Sequence, residues 1–399
     1  MHIHMDDPVK SWVPSLIFIE LTKSCEYICR HCRASAQTEP LPDELDFQGV
    51  RKELDSISEL GRQKPLIIFT GGNPLRRKDL FQILEYARQR GINFSISPPG
   101  SKLITDNAIK NLKELGCRSI SISLDGAGPK FHEWLRNMEG SFDLALNSIQ
   151  TIKDNDMRVQ INTTVMKENI SELPGIAALL LNKNISTWEL FFLINTGRGK
   201  ELEPVNSKEA LAISLWVLWL KRYGLDIRMV ELPQHRVVQS KFHDMESLDA
   251  YIGQSISEST MDESLFLFKK LVSEFEVKIK DTLPEETIKS NHSNDHGRFS
   301  GILFIGYNGE VYPSGFLPVS VGNAAEKNLR EIIDDSELLL KLRDRTEMKG
   351  ICKKCTERVY CVGSRARAYA LSGDPFEEDS TCFISTMKEK SRMGDDLNA

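Results

Sequence analysis

The residues best equipped for chemistry in this chain are its cysteines. Cys25, Cys29 and Cys32 stand at the spacing C-x3-C-x2-C, and Cys352, Cys355, Cys361 and Cys382 follow far downstream as C-x2-C-x5-C-x20-C. Thiolates are soft ligands that select zinc or iron–sulfur clusters. Three of them are one short of filling a 4Fe–4S cube, which leaves one iron free to bind something else. The alternative for the triad is a zinc knuckle closed by His31, although a neighbour of Cys32 is poorly placed to complete a tetrahedron. The four later cysteines could fill every iron of a second cube or form a zinc ribbon. Disulfides fit less well. A chain of 399 residues has core enough without staples, so metal ligation in a reducing compartment is expected. Cys117, between a helix stop and a strand, reads as a buried structural thiol.

These groups need elements to hold them. The triad follows the apolar run Leu16–Leu21, which reads as a strand. It therefore lies on a loop at a strand's C-terminal end, where parallel α/β folds put their chemistry. Further strands are predicted at 65–70, 92–97, 119–124, 159–165 and 187–193, with amphipathic helices between them. In one such helix Thr105 is an N-cap, Leu112 and Leu115 share a face, and Gly116 is the stop. Six β/α units imply an α/β fold, a parallel sheet curled into a partial (β/α)6 barrel with a gap wide enough for a large substrate. The expected organisation is an N-terminal segment 1–14, the barrel 15–225, a charge-rich helical bridge and cover 226–298 ending in the polar run 290–296, and a small C-terminal α+β unit 299–390. That last unit opens with a hairpin turning at Asn308 and Gly309. Net charge is −6, which implies neither a nucleic-acid partner nor a polybasic membrane surface. No apolar run approaches the ~20 residues of a membrane span. No targeting segment is visible, so a cytoplasmic protein is expected.

Polar groups at strand ends are the next candidates. Thr70-Gly-Gly-Asn-Pro-Leu75 follows the second strand, and its glycines let backbone approach a ligand. Ser95 and Ser97 end the third strand. On the fourth, alternation puts Ser121, Ser123 and Asp125 on one face, opposite Ile122 and Leu124. Buried hydroxyls and a carboxylate there are costly unless used or paired. Asn162 and Thr164 should share the inward face of the fifth strand. The sixth ends in Phe191–Gly199, where apolar Leu193 could flank a bound ligand and Arg198 could meet an anionic substrate, while at least one of Phe191 and Phe192 is expected in the core.

The segment around Cys25, Cys29 and Cys32 closely resembles that of the radical S-adenosylmethionine (SAM) enzymes. The tail resembles the SPASM/Twitch extension that follows many such barrels. More narrowly, Cys361-Val-Gly-Ser-Arg-Ala-Arg-Ala-Tyr-Ala, then Gly373-Asp374 and Cys382, is similar to the haem-biosynthesis branch of alternative haem and denitrification haem. The resemblance spans roughly 15–225 and 300–385. It implies that the triad holds a 4Fe–4S cluster whose free iron takes the amine and carboxylate of SAM. It also implies cofactor contacts at Gly71, Gly72, Asn73, Pro74, Ser97, Ser123, Asp125, Arg136, Asn162 and Leu193, with Arg136 pairing the cofactor carboxylate. Two departures matter. Asn73 stands where the family's G-G-E-P motif carries an acid. Ser314 and Ser364 stand where two-cluster relatives place cysteines, which implies one auxiliary 4Fe–4S cluster on Cys352, Cys355, Cys361 and Cys382. The implied reaction is reductive cleavage of SAM to a 5′-deoxyadenosyl radical that abstracts hydrogen from a carboxylate side chain of a tetrapyrrole. His235, Arg236, His296 and Arg298 are then candidates for propionate or haem-iron contacts, against the plainer reading of solvated loop residues. A maturase acting on a ribosomally made peptide is the alternative, and a non-enzymatic zinc or iron–sulfur scaffold a distant one. Electrons would come from a low-potential donor such as flavodoxin or ferredoxin. No residue stands out as a catalytic base or hydrogen donor.

Overall fold

The computed structural model describes residues 12–242, 244–257, 262–280 and 301–384; the polar run 290–296, His296 and Arg298 lie outside them. Strands β1 (Leu16–Glu20), β2 (Leu66–Thr70), β3 (Phe94–Ile96), β4 (Ile120–Ser123), β5 (Val159–Val165), β6 (Thr187–Phe192) and β7 (Asp226–Val230) lie side by side in chain order, all parallel. Six of them match the strands expected. The seventh pairs with β6 from Thr187↔Asp226 to Phe191↔Val230. It opens on Asp226 and carries Arg228, a polar run for a buried strand but a suitable one for a half-exposed edge.

The sheet continues past its other edge. Strand β8 (Ile302–Ile305) pairs parallel with β1, from Leu16↔Ile302 to Ile19↔Ile305. Strand β9 (Glu310–Tyr312) returns antiparallel after a turn in which Gly309 has φ +85°, and β10 (Gly322–Asn323) completes the 10-stranded sheet. The C-terminal unit is thus joined to the barrel by main-chain hydrogen bonds.

Alternation along the strands separates core from cleft. In β5, Val159, Ile161, Thr163 and Val165 are buried under the outer helices, while Gln160, Asn162 and Thr164 keep partial exposure on the inner face. The helices begin where their caps dictate. Asp46 accepts from the Gly49 N–H at 2.9 Å ahead of Phe47–Ser58, and Thr105 accepts from the Ala108 N–H ahead of Asp106–Glu114. Asn206 and Glu209 cap Ser207–Leu220 reciprocally. That last helix is buried all round because Glu263–Ile279 packs over it, with Phe275 edge-on to Trp216, Trp219 and Tyr223. Each such side chain contributes about 1.5–3 kcal/mol by burial. Helix Glu263–Ile279 therefore belongs to the outer helical layer, not to a cover over the strand ends. Among the described residues, no helix is long and apolar enough to cross a membrane.

Candidate functional site

The cysteine loop leaves β1 at Leu21 and is held from three sides. The first hold is the Gly71–Gly72–Asn73 turn after β2. The N–H groups of Gly72 and Asn73 donate to the carbonyls of Thr22 and Ser24, both at 2.7 Å. A side chain could not fit here: a Cβ on Gly71 would lie 2.3 Å from the Thr22 oxygen, and one on Gly72 2.2 Å from that of Ser24. Gly71 also has φ +133°, open only to glycine. The second hold follows β6. Arg198 donates from Nε to the Cys29 carbonyl at 2.8 Å and from Nη1 to that of Ala36 at 2.7 Å. Its remaining Nη2 is buried without a protein partner. Arg198 thus shapes the loop rather than reaching toward an anionic substrate. The third hold is Tyr27, buried between the first two cysteines, whose hydroxyl donates to the Gly100 carbonyl after β3.

Each triad sulfur accepts one hydrogen bond: Cys25 from the Tyr27 N–H at 3.4 Å, Cys29 from the Arg136 guanidinium at 3.8 Å, and Cys32 from the Ala36 N–H at 3.4 Å. Burial pushes the free Cys25 thiol up to about 12 and raises Cys29, so without a bound group these sulfurs keep their protons. Donors aimed at sulfurs suit thiolates that ligate iron, where such bonds tune the cluster. His31 is held neutral, its pKa pushed down to about 3 by burial and by Arg136, and its Nδ1 is buried with no partner. Among the described residues, no three His, Cys, Asp or Glu side chains converge on one metal ion. The residues present fit a cluster on these grounds.

Behind Cys29 lies a buried ion pair. Asp125 is fully buried and receives Arg136 Nε at 2.8 Å and the Thr164 N–H at 2.8 Å. Burial alone would raise this carboxyl, but Arg136, His31, His132 and the Thr164 N–H outweigh it and hold it below the ordinary carboxylate range. Arg136, expected to pair a cofactor carboxylate, is occupied by Asp125 and Cys29. Ser123 and Asn162 are register partners on β4 and β5, both half-exposed on the inner face. Ser97 keeps partial exposure just past β3, with its N–H on the Phe69 carbonyl at 2.8 Å. Pro74 opens a short helical turn capped by Asn73. Leu193 is buried with Leu135 and Met166 behind the loop. Phe192 is in the core, whereas Phe191 meets Phe316 of the C-terminal unit at 6.4 Å.

The second cysteine group lies in the tail. Cys352 sits in the short helix Gly350–Lys354 and Cys355 caps it; Cys361 and Cys382 flank the helix Arg365–Ser372. The Gly363 N–H donates to Cys361 Sγ at 3.3 Å, and Arg365 approaches Cys352 Sγ at 4.0 Å. Burial pushes Cys361 up to about 12 and Cys382 to about 11, each also raised by neighbouring thiols of the group. Ser364 is no spare ligand: its hydroxyl donates to the Glu231 carboxylate and accepts from the Arg367 N–H at 3.0 Å, and its N–H meets Asp379. Ser314 Oγ accepts from the Phe316 N–H at 3.2 Å. Leu317, Ala366 and Ile194 pack together beside them. Cys117 is buried, its thiol on the Ser119 carbonyl. His235 is neither solvated nor open to a ligand; its Nδ1 bonds Ser214 Oγ at 2.6 Å inside the core.

Sequence reasoning missed Tyr27, Glu26 and Arg33. The first two lie inside the C-x3-C spacer, and that adjacency was the signal. Arg33 stacks over Phe304 and pairs with Glu20 at 2.9 Å, joining the loop to β8.

A parallel open barrel with hydrogen-bonded thiols at the end of its first strand and a cysteine-bearing extension defines a cluster-dependent enzyme class. Residues 19–180 match the model of the radical SAM superfamily, and 298–356 match an iron–sulfur cluster-binding domain. The chain is 30% identical to the AdoMet-dependent heme synthase of Methanosarcina barkeri over 376 residues, covering 94% of this chain and 98% of that protein. It is 27% identical to the Fe-coproporphyrin III synthase of the same organism, covering 92% and 86%. Among solved structures, anSMEcpe with bound AdoMet and the Cp18Cys peptide shares the fold, with a TM-score of 0.62, 14% identity, and coverage of 96% and 99%. The chain belongs to the radical SAM superfamily. It is an enzyme that uses SAM and a 4Fe–4S cluster, with auxiliary iron–sulfur chemistry in its C-terminal extension.

Proposed function

We propose that this enzyme acts on a carboxylate side chain of a tetrapyrrole on the way to haem. The observation that carries the substrate class is likeness to a heme synthase over 98% of that protein's length, barrel and tail together. The peptide alternative has weaker likeness behind it: 21% identity to a PqqA peptide cyclase over 95% of this chain, and a shared fold at 14% identity.

Cys25, Cys29 and Cys32 are the proposed ligands of the SAM-binding cluster, and Gly71–Pro74, Ser97, Ser123, Asp125, Arg136, Asn162 and Leu193 the proposed surroundings of SAM. The cluster and SAM together supply reductive cleavage of a sulfonium for hydrogen abstraction. The chain's own residues do the rest. Tyr27, Arg198 and the Gly71–Gly72 turn fix the loop, which keeps three thiols in register. Arg136, neutralised by Asp125, keeps a positive charge against Cys29 without exposing it to water. The inner faces of β4 and β5 offer hydroxyl and amide groups to orient what binds there. Leu193 is buried behind the loop with Leu135 and Met166, so its part is to exclude water. Cys352, Cys355, Cys361 and Cys382 are the proposed ligands of one auxiliary cluster, and the bonded state of Ser364 and Ser314 supports one rather than two. With four ligands it has no open iron, so electron transfer is its proposed task. A small low-potential donor such as flavodoxin or ferredoxin, in a reducing cytoplasm, is the proposed electron source.

The test is an anaerobic incubation of the reconstituted enzyme with SAM and a strong reductant, with and without didecarboxysirohaem or iron-coproporphyrin III, read by mass spectrometry. Deoxyadenosine rising in step with loss of carboxylate mass is expected. Deoxyadenosine release indifferent to every tetrapyrrole would overturn the substrate class.

A further inference from the structure

The Gly71–Pro74 turn carries no acid, yet an acid stands beside it. Asn73 is fully buried, and its amide orientation is fixed by its neighbours. Its Oδ1 accepts from the Leu75 N–H at 3.1 Å. Its Nδ2 donates to both oxygens of Glu26, at 2.9 and 3.0 Å, and lies 3.3 Å from Ser101 Oγ. One lone pair of its oxygen is thus taken by main chain, and the edge it turns toward Glu26 is a donor. Such an edge repels an ammonium group. The negative charge at this position belongs to Glu26, half-buried and adjacent to Cys25. A carboxylate has about four acceptor sites, and Asn73 takes one on each oxygen. Among the described residues no Lys, Arg or His pairs with Glu26.

We infer that Glu26 is the anion that receives the methionyl ammonium of SAM, with Asn73 as the residue that aims it. The acid and the amide have exchanged places across one hydrogen bond: the carboxylate comes from the cysteine loop and its holder from the glycine turn. This rests on the reading that SAM binds between the triad and that turn. Glu26 would then select a positively charged amine on the cofactor, and its position next to Cys25 would couple SAM binding to a correctly folded loop.

The experiment measures equilibrium binding of SAM, and of an analogue lacking the α-amine, to the reconstituted protein by dialysis, with iron and sulfide counted in the same samples. E26Q should bind SAM at least roughly tenfold more weakly, the scale of one charge-assisted bond lost, and should lose the preference for SAM over the amine-free analogue. The exchanged pair E26N/N73E should restore both affinity and preference. E26Q binding SAM like the wild type, with the preference intact, overturns the inference. Should E26Q fail to hold its cluster, the exchanged pair decides: restored amine preference supports the inference, and its absence with a full complement of iron refutes it. A wild-type protein that carries its clusters and binds no SAM overturns the underlying reading as well.

Discussion

Asp125 and Arg136 form the most consequential pair in the barrel, and their removal has a calculable effect. Asp125 is fully buried, and the Arg136 side chain is 10% exposed. Asp125→Asn keeps the shape and deletes the charge, which leaves a guanidinium buried against Cys29 without its counter-ion. Breaking such a pair costs about 3–5 kcal/mol. Arg136→Met strands the carboxylate and should cost about as much. The double variant D125N/R136M leaves no buried charge and should cost well under the sum of the two. Urea slopes grow with chain size, so each single change should lower the unfolding midpoint of the iron-free protein by roughly 1 M, with the double variant recovering much of it. Lys167→Met, which breaks an exposed ion pair with Glu203, should leave the midpoint where it was. In the reconstituted protein D125N should lose iron from the triad and keep the auxiliary iron, because Arg136 is the donor to Cys29 and Asp125 holds it in place. Single variants with unchanged midpoints, or a double variant that costs the full sum, would refute the electrostatic account.

Other outcomes follow from features elsewhere. Glu53 is buried in helix Phe47–Ser58 with neither oxygen hydrogen-bonded, and burial lifts its carboxyl from 4.5 to about 8. The folded chain therefore holds a proton that the unfolded chain releases between these values. Stability from this site is fully kept below pH 4.5 and falls as pH rises to about 8, by about 5 kcal/mol. Glu53→Met should raise the urea midpoint at pH 8.5 far more than at pH 5, and an equal effect at both would sink the assignment. Gly72→Ala forces a Cβ to within 2.2 Å of the Ser24 carbonyl, so triad iron should be lost while the tail's iron stays. Iron analysis of the purified variant checks this. Ser364→Cys should add no iron, since its environment is hydrogen-bonded and packed rather than open to a cluster; a gain of four irons per chain over the wild type would show that environment to be open after all.

What could be read from the chain in advance was the local part. Cysteine spacing needs no knowledge of partners, and apolar runs bounded by caps announced six strands. Strand β7 escaped because an edge strand tolerates Asp226 and Arg228, so it looked like the start of a polar bridge. The addition of β8 to β1 escaped because a parallel pairing depends on two segments far apart in the chain and leaves no mark on either. Arg198 illustrates the same limit within the site. At the end of a strand it looked ready for an anion, yet its partners are backbone carbonyls of Cys29 and Ala36, and carbonyls have no residue type. Arg136 was expected to pair with a cofactor carboxylate, but only the fold reveals that Asp125 and Cys29 already engage it. Glu26 shows a different blind spot. The glycine turn shows on its face that it lacks an acid, but nothing in its residues says that the carboxylate beside Asn73 comes from the cysteine spacer.

The pairing of β1 with β8 also orders events during synthesis. Arg33, in the cysteine loop, donates to the Gly315 carbonyl 282 positions later. A ribosome adding about 5–20 residues per second needs roughly 15–55 s to cover that stretch. For all of that time the outer edge of β1 is open, and open strand edges template aggregation. The tether from Arg33 to Gly315 is thus among the last contacts the cysteine loop acquires, only shortly before Cys352 emerges. Iron delivered earlier would meet a loop that still lacks this last tether. Lower growth temperature and added chaperone should therefore raise the yield of folded enzyme by protecting that edge until β8 arrives.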